Sequence, residues 1–468
     1  MKHLQLFAII VFFLVSILPV KAGLGQGNYT GWKAGVTKAN ITPQQNIWMG
    51  GHAFRDHPAE GKITDLWAKA LALEDANGQR AVIVTMDLVG ISKELSDRIR
   101  HQLQAKLHLS NSQIILNTSH THSGPVVGSL SSDIYNLNET ERKKVDEYAN
   151  HLETKIINLV VEAFGQMKSV RVYSGNGITR FQVNRHANVE SALKGTTELN
   201  GPNDYAVPVI KVVDENNKII ALLFGYACHN TTLGLYKWSG DYAGFAQIEL
   251  EKEFPGTIAL FFQGAGGDQN PLPRGTVSKA IQYGKELASA VEAVIAEEMK
   301  PLESRLAVTY SEIDLPFASR PPTKEELVRI INDSSASAYP SYLKRKAKTF
   351  LNTLEKGETL MSSYPWYPIQ VWNIGGQAIF TFGGELTVGY TVDLKRIFGQ
   401  DIFVLGYSNN IMSYIPTAKM LTEGGYEVRS SPVFTTPYAS TIENIIISEA
   451  IKEAAKVGVS PTSSNHNK

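Results

Sequence analysis

Ser119-His-Thr-His-Ser-Gly-Pro125 sets two imidazoles, His120 and His122, two residues apart directly after the apolar run Ile114-Ile-Leu116. In extended backbone, residues i and i+2 point to one face. Both rings are therefore expected to project into one cleft at a strand end, with Gly124-Pro125 turning the chain away. Such a pair can hold a zinc ion, or divide into one ligand and one acid/base or oxyanion donor. Taken alone, H-x-H more often marks two polar histidines in a loop. Two more groups change the balance: His229 follows the apolar stretch 219–226, and Glu385 follows Phe382-Gly-Gly. Singly, each has a structural reading, as a hydrogen-bonded strand-end histidine or a capping carboxylate. Together, two His and one Glu match the ligand set of many hydrolytic zinc sites, which leave a position for water and lower its pKa to about 7.

Other nucleophiles are poorly supported. No G-x-S-x-G occurs, and Ser123 lacks the setting of a nucleophile elbow. Cys228 adjoins His229, but neighbours on a strand face opposite ways, so a cleft-facing His229 puts the thiol in the core. Gln263-Gly-Ala-Gly-Gly-Asp268-Gln-Asn270-Pro271 lacks the lysine of a phosphate loop. It reads as a Gly-rich wall whose backbone N–H groups, from Gly264 onward, approach a substrate, with Asp268 hydrogen-bonding the loop or a ligand behind it.

The elements that must position these groups alternate. Strands are expected at 34–42, 69–74, 81–86, 113–117, 169–174, 208–213, 219–226, 257–262, 367–374, 378–382 and 402–407. Helices are expected at 91–107, 139–167, 242–254, 277–299 and 440–457. Asn77-Gly78 joins two strands as a hairpin. Several strands are apolar throughout, as strands buried on both faces are, so the fold class is α/β: layered mixed β-sheets flanked by helices in one large domain. Residues 318–360 read as a charged helical excursion from that domain, and 459–468 as a polar tail.

The 468 residues carry 45 basic and 45 acidic side chains and one cysteine. An intrachain disulfide is excluded, and without a Lys/Arg-rich block nucleic acid is a poor partner. A basic start, the apolar stretch 6–18 and Ala22 read as a signal peptide over 1–22, with an uncleaved anchor as the alternative. The chain is then secreted or periplasmic. The sequons at Asn117 and Asn230 abut the suspected site, where a glycan would obstruct substrate, which favours a bacterial host.

Thr118-Ser-His-Thr-His-Ser-Gly-Pro125 resembles the T-H-T-H-S-G-P signature of the neutral/alkaline ceramidase family, zinc amidases that cleave the N-acyl bond of ceramide. Tyr226-Ala-Cys-His229 resembles its second histidine strand, and Phe382-Gly-Gly-Glu385-Leu-Thr its P-G-E-F-T turn. Asn410-Ile-Met-Ser-Tyr414-Ile-Pro-Thr resembles its N-x-Y-x-x-Y-I-T-T segment, Tyr426-Glu427 its R-Y-E tyrosine, and Val183-Asn-Arg185 its I-N-R arginine. The likeness spans most of the chain from Ala34 to the last helix.

The resemblance implies one zinc per chain, held by His120, His229, Glu385 and Tyr414. It implies that His122, Arg185 and Tyr426 polarise the substrate or move protons. The substrate is then a ceramide or a related N-acyl lipid, met at a membrane or micelle surface. Two departures bear on the substrate. Asn270 stands where the family has a serine, which with Gly264 and Asp268 would line the substrate, and the family's C-terminal immunoglobulin-like domain has no counterpart. A zinc hydrolase of carbohydrate esters or glycosidic bonds on the same scaffold is the alternative; Trp238, Trp366 and Trp372 would then form sugar platforms. A binding protein without catalysis is the third reading.

Overall fold

The computed structural model describes residues 31–130, 134–333, 341–429 and 436–462; the expected leader at 1–22 and the end of the polar tail lie outside them. Eight main strands build the first sheet: β1 (Trp32–Asn40), β2 (Trp67–Glu74), β3 (Arg80–Met86), β4 (Ile114–Thr118), β5 (Lys168–Ile178), β6 (Ala206–Val213), β7 (Ile219–Tyr226) and β8 (Ile258–Gln263). Their order is β8-β7-β6-β5-β1-β2-β3-β4. Every neighbouring pair is antiparallel except β3–β4 and β7–β8. Those two pairs need a crossover, which helices α1 (Lys93–Leu107) and α3 (Asp241–Glu253) supply. The sequence signals appear where chemistry requires them. β2 alternates little and is buried on both faces, and the β2–β3 turn places Gly78 at φ 79°. Helix α2 (Glu139–Gly165) begins in a capping box of Asn138 and Glu141. It packs so closely on β1 that a Cβ on Gly35 would lie 1.8 Å from the Ala163 carbonyl oxygen.

A second sheet contains β9 (Leu306–Val308), β10 (Ser311–Pro316), β11 (Ser363–Ile374), β12 (Gln377–Phe382) and β13 (Phe403–Leu405). Its order is β9-β11-β12-β13, with β10 also paired to β11. Helix α4 (Val277–Ala296) packs on the first sheet, α5 (Lys324–Asn332) and α6 (Ser341–Glu355) occupy the charged 318–360 segment, and α8 (Ile442–Lys456) lies on β11. β9, β10 and helix α7 (Val388–Phe398) fall outside the expected elements. Helix α7 buries Val388, Tyr390, Thr391, Leu394, Lys395 and Phe398.

The sheets join along one seam. Trp32, Leu71, Ile83, Ile115, Val172, Leu223 and Phe262 of the first share a core with Trp372, Ile379, Phe403 and Leu405 of the second. Single bridges pair Asn117 with Ser408 and Gly264 with Leu405. Asn117, at the end of β4, accepts a hydrogen bond from Gln263 N of β8 (2.9 Å) and donates to Gly406 O and Ser408 Oγ (2.9 Å each). Its side chain and that of Asn230 are fully buried.

Candidate metal centre

The histidine pair is assembled differently from an extended strand. β4 stops at Thr118, and His120 takes a left-handed φ of 58°. That conformation is uncommon for a residue with a Cβ. Hydrogen bonds on either side hold it: Ser119 N donates to Met86 O (2.8 Å) and His122 N to Asn230 O (3.1 Å). The rings converge nonetheless, with His120 and His122 Nε2 atoms 3.0 Å apart. His229 comes from the loop after β7, and its donor atom stands with those of His120 and His122 within 4.8 Å of one another.

What surrounds these rings fixes their protons. His120 Nδ1 lies 2.6 Å from Val89 O, and His229 Nδ1 lies 2.5 Å from Gly266 O. A carbonyl only accepts, so each Nδ1 is the N–H, and in the neutral ring Nε2 carries a lone pair. Both Nε2 atoms face one oxygen of Glu385, at 3.2 and 3.1 Å. Burial, with the Arg185 charge adding to it, lowers the His229 imidazole to about 4. Burial pushes the Glu385 carboxyl up, but its two imidazole neighbours outweigh that and hold it below the usual range. Two Nε2 atoms and a carboxylate oxygen thus converge inside the protein, an arrangement that a proton on one ring or a shared cation satisfies. Donors around one tetrahedral zinc stand roughly 3.3 Å apart for bonds of about 2.0 Å. The observed separations fit that ion.

His122 is held otherwise. Its Nδ1 is buried with no partner among the described residues. Burial first, then His120, His52, His229 and Arg55, keep its pKa well below the ordinary value. The ring leans edge-on against His52, centroids 4.7 Å apart, and touches Gly51.

Glu385 and Tyr414 sit opposite each other in a two-residue parallel ladder, Glu385–Leu386 with Tyr414–Ile415. The Tyr414 ring stacks over His229 at 6.3 Å. Burial, reinforced by Glu385, holds its hydroxyl protonated. Arg185 lies over the rings of Tyr414 (5.4 Å) and Tyr426 (5.0 Å). It donates to Glu427 Oε1 (2.9 Å), Gly267 O (2.7 Å) and Asn270 Oδ1 (3.2 Å). Burial opposes its charge, but Tyr414 and Glu427 more than restore it.

These groups open into a cleft of about 1290 Å³ lined by His120, His122, Arg185, Asp268, Asn270, Glu385, Tyr414 and Tyr426 among others. Gly264, expected to meet substrate, is not among the residues lining this cleft. Its N–H donates to Tyr226 O (3.0 Å), and a Cβ there would press on Ala227. The N–H groups of Gly266 and Gly267 are likewise spent, on Gly264 O and Leu386 O. The glycines instead let ligand-bearing segments approach: a Cβ on Gly267 would lie 2.5 Å from Glu385 O. Asp268 lines the cleft with both oxygens committed, one accepting from Val388 N and the other from Asn184 Nδ2, each at 2.8 Å. The Cys228 thiol is buried in the core behind β7, and burial raises its pKa well above normal. Trp238 and Trp372 are core residues and Trp366 is 43% exposed; none of the three lines the cleft.

Sequence reasoning missed two neighbours. His52 lines the cleft beside His122, and Tyr407 packs its ring 4.5 Å from that of His120. His52 belongs to no periodic pattern, and Tyr407 closes the expected strand at 402–407, which in the structure ends at Leu405.

Comparison with known proteins agrees with this architecture. Residues 32–293 match the profile described as neutral/alkaline non-lysosomal ceramidase, N-terminal. The chain is 27% identical over 228 residues to neutral ceramidase B of Dictyostelium discoideum, covering 44% of this chain and 31% of that one. It is 24% identical over 256 residues to the neutral ceramidase of Drosophila pseudoobscura pseudoobscura, covering 52% and 35%. The match thus spans about a third of the length of these relatives. The crystal structure of neutral ceramidase from Pseudomonas aeruginosa superposes with a TM-score of 0.69 at 19% identity, over 94% of this chain and 76% of that one, a likeness of fold.

Proposed function

The chain belongs to the neutral/alkaline non-lysosomal ceramidase family, and from that premise we propose that it is an exported, zinc-dependent amidohydrolase that cleaves the N-acyl bond of ceramide or a related N-acyl lipid. One observation carries the reading: His120 Nε2 and His229 Nε2, each tethered through Nδ1 to a carbonyl, converge on one oxygen of the buried Glu385 carboxylate at the spacing of donors around a single ion. His120, His229 and Glu385 hold the ion, with Tyr414 beside them. The choice of Glu385 over His122 as third ligand rests on tethering. Metal-binding imidazoles characteristically donate their other N–H to a fixed acceptor, as His120 and His229 do and His122 does not.

Bound there, zinc supplies Lewis acidity and lowers the pKa of water. The chain's residues do the rest. His122, neutral and untethered at Nδ1, takes a proton and returns it to the departing amine nitrogen. Arg185, a cation fixed by Glu427, and the Tyr426 hydroxyl face the charge that grows on the amide carbonyl oxygen. Phe54, Val189 and Tyr426, 63%, 69% and 57% exposed, stand at the cleft. They are the surface we assign to contact with a lipid aggregate. The carbohydrate alternative finds no tryptophan platform in the cleft.

The test is turnover by the purified, zinc-loaded chain of fluorescent N-acyl sphingoids, N-acyl amino acids and glycan esters. Hydrolysis of the N-acyl sphingoids, abolished by chelation and restored by zinc, is expected. Hydrolysis of the glycan esters alone would move the protein to the alternative.

A further inference from the structure

Tyr407 is out of keeping with its surroundings in two ways. It is a bulky residue at a left-handed φ of 51°, a conformation that its Cβ disfavours. Its hydroxyl is also buried with no hydrogen-bond partner among the described residues. An orphaned buried hydroxyl is unfavourable, and phenylalanine would fill the same space without it. Strain and an unmatched polar atom together at one residue point to a functional role.

Its connections indicate where that role lies. Tyr407 N donates to Gly384 O (3.0 Å), one residue before Glu385. Its carbonyl accepts from Thr118 N (3.2 Å) and Thr118 Oγ1 (3.3 Å), two residues before His120. The ring lies 4.5 Å from His120 and 6.0 Å from His229. Tyr407 is not among the residues lining the cleft, so it backs the cluster from the core side and has no access to a substrate. One residue thus spans the segments that deliver two ligand candidates from different sheets and packs against a third.

We propose that Tyr407 is a positioning residue of the metal centre: its backbone clamps the Thr118 and Gly384 segments in register, its ring sets the plane of His120, and its hydroxyl gains a partner only when the centre is loaded. This rests on the zinc reading above. Groups behind a metal's direct ligands commonly change affinity by 10- to 100-fold when altered.

The test compares the full-length wild type with Tyr407→Phe, which keeps ring and backbone and removes only the hydroxyl. Zinc affinity is measured by competition with a chromophoric chelator, the melting temperature of both metal-free proteins by calorimetry, and the visible spectrum after cobalt substitution. The metal-free variant should melt at or above the wild-type temperature, because an orphaned hydroxyl is gone. Its zinc affinity should fall roughly 10-fold, and the cobalt bands should shift. A merely structural tyrosine would lower the metal-free melting temperature and leave affinity and spectrum alone; that result overturns the proposal. Equal zinc affinity and an identical cobalt spectrum in both proteins would also overturn it while leaving the zinc reading intact. A wild type that binds no divalent metal would sink the zinc reading first, and this inference with it.

Discussion

His120 and His122 differ in how each ring is held, and from that difference follows what each can do. The His120 N–H is committed to Val89 O, which leaves Nε2 as a fixed ligand atom. His122 has no such tether at Nδ1. His120→Ala should therefore lose the metal, whereas His122→Ala should keep it while kcat falls roughly 10²- to 10⁴-fold. Zinc content and kcat on both variants check this; a metal-free His122 variant beside a zinc-loaded His120 variant would reverse the assignment. Acid should act through the same cluster. His229 is depressed from 6.5 to about 4, so the unfolded chain binds its proton first and stability drops as pH falls from 6.5 toward 4. For one fully buried imidazole that is about 3 kcal/mol. Glu385, held low, loses its contribution as pH falls through its own folded pKa, so both groups act in one direction. The chelated protein should show a melting temperature that declines steadily across this window. A flat calorimetric profile from pH 7 to 4 would contradict the neutral, buried His229.

At the scale of elements, loops bring the reactive groups to their places. Gly50 N donates to Gly124 O (2.9 Å), which braces the Gly51 turn against the end of the histidine motif. Gly51 has φ 94°, and a Cβ there would lie 2.4 Å from His122 Cγ. Gly51→Ala should displace the His122 ring and lower kcat by about 10- to 100-fold with zinc content unchanged; loss of zinc in that variant would mean that His122 is a ligand after all. The strands feeding the site were legible because β4, β7 and β8 are short, apolar runs, and α2 and α4 because they carry helical spacing. Three features of the site were not. The left-handed turns at His120 and Tyr407 are imposed by hydrogen bonds to remote segments, which no local pattern records. The Glu385–Tyr414 ladder is two residues long, below any periodic signal, so Tyr414 was reachable only by resemblance. The glycine loop was expected to bring backbone N–H groups to a substrate, whereas its close neighbours are protein, with Gly264 against Ala227 and Gly267 against Glu385.

At the scale of the whole molecule, the proposed ligands come from both sheets: His120 and His229 follow strands of the first, and Glu385 follows β12 of the second. Metal binding should then stabilise the docking of the sheets as well as the loops that hold the ion. Zinc at 1,000 times its dissociation constant adds about 4 kcal/mol to the folded state. Removing it with a chelator should lower the melting temperature in one cooperative transition, read by calorimetry; an unchanged transition would show that no ion is held. The layered α/β frame was legible from apolar runs, while its seam was not, because the pairing of Asn117 with Ser408 and Gly264 with Leu405 joins segments far apart in sequence. That seam has a consequence of another kind. β4 and β8 end the strand order of the first sheet, where unpaired backbone N–H and C=O groups invite another chain. Here Asn409 N donates to Leu116 O (2.6 Å), Thr118 N to Tyr407 O (3.2 Å) and Gln263 N to the Asn117 side chain (2.9 Å). The contacts that gather the reactive groups thus also cap the ends of the sheet, so a lesion at the seam would abolish activity and open two strand edges to self-association at once.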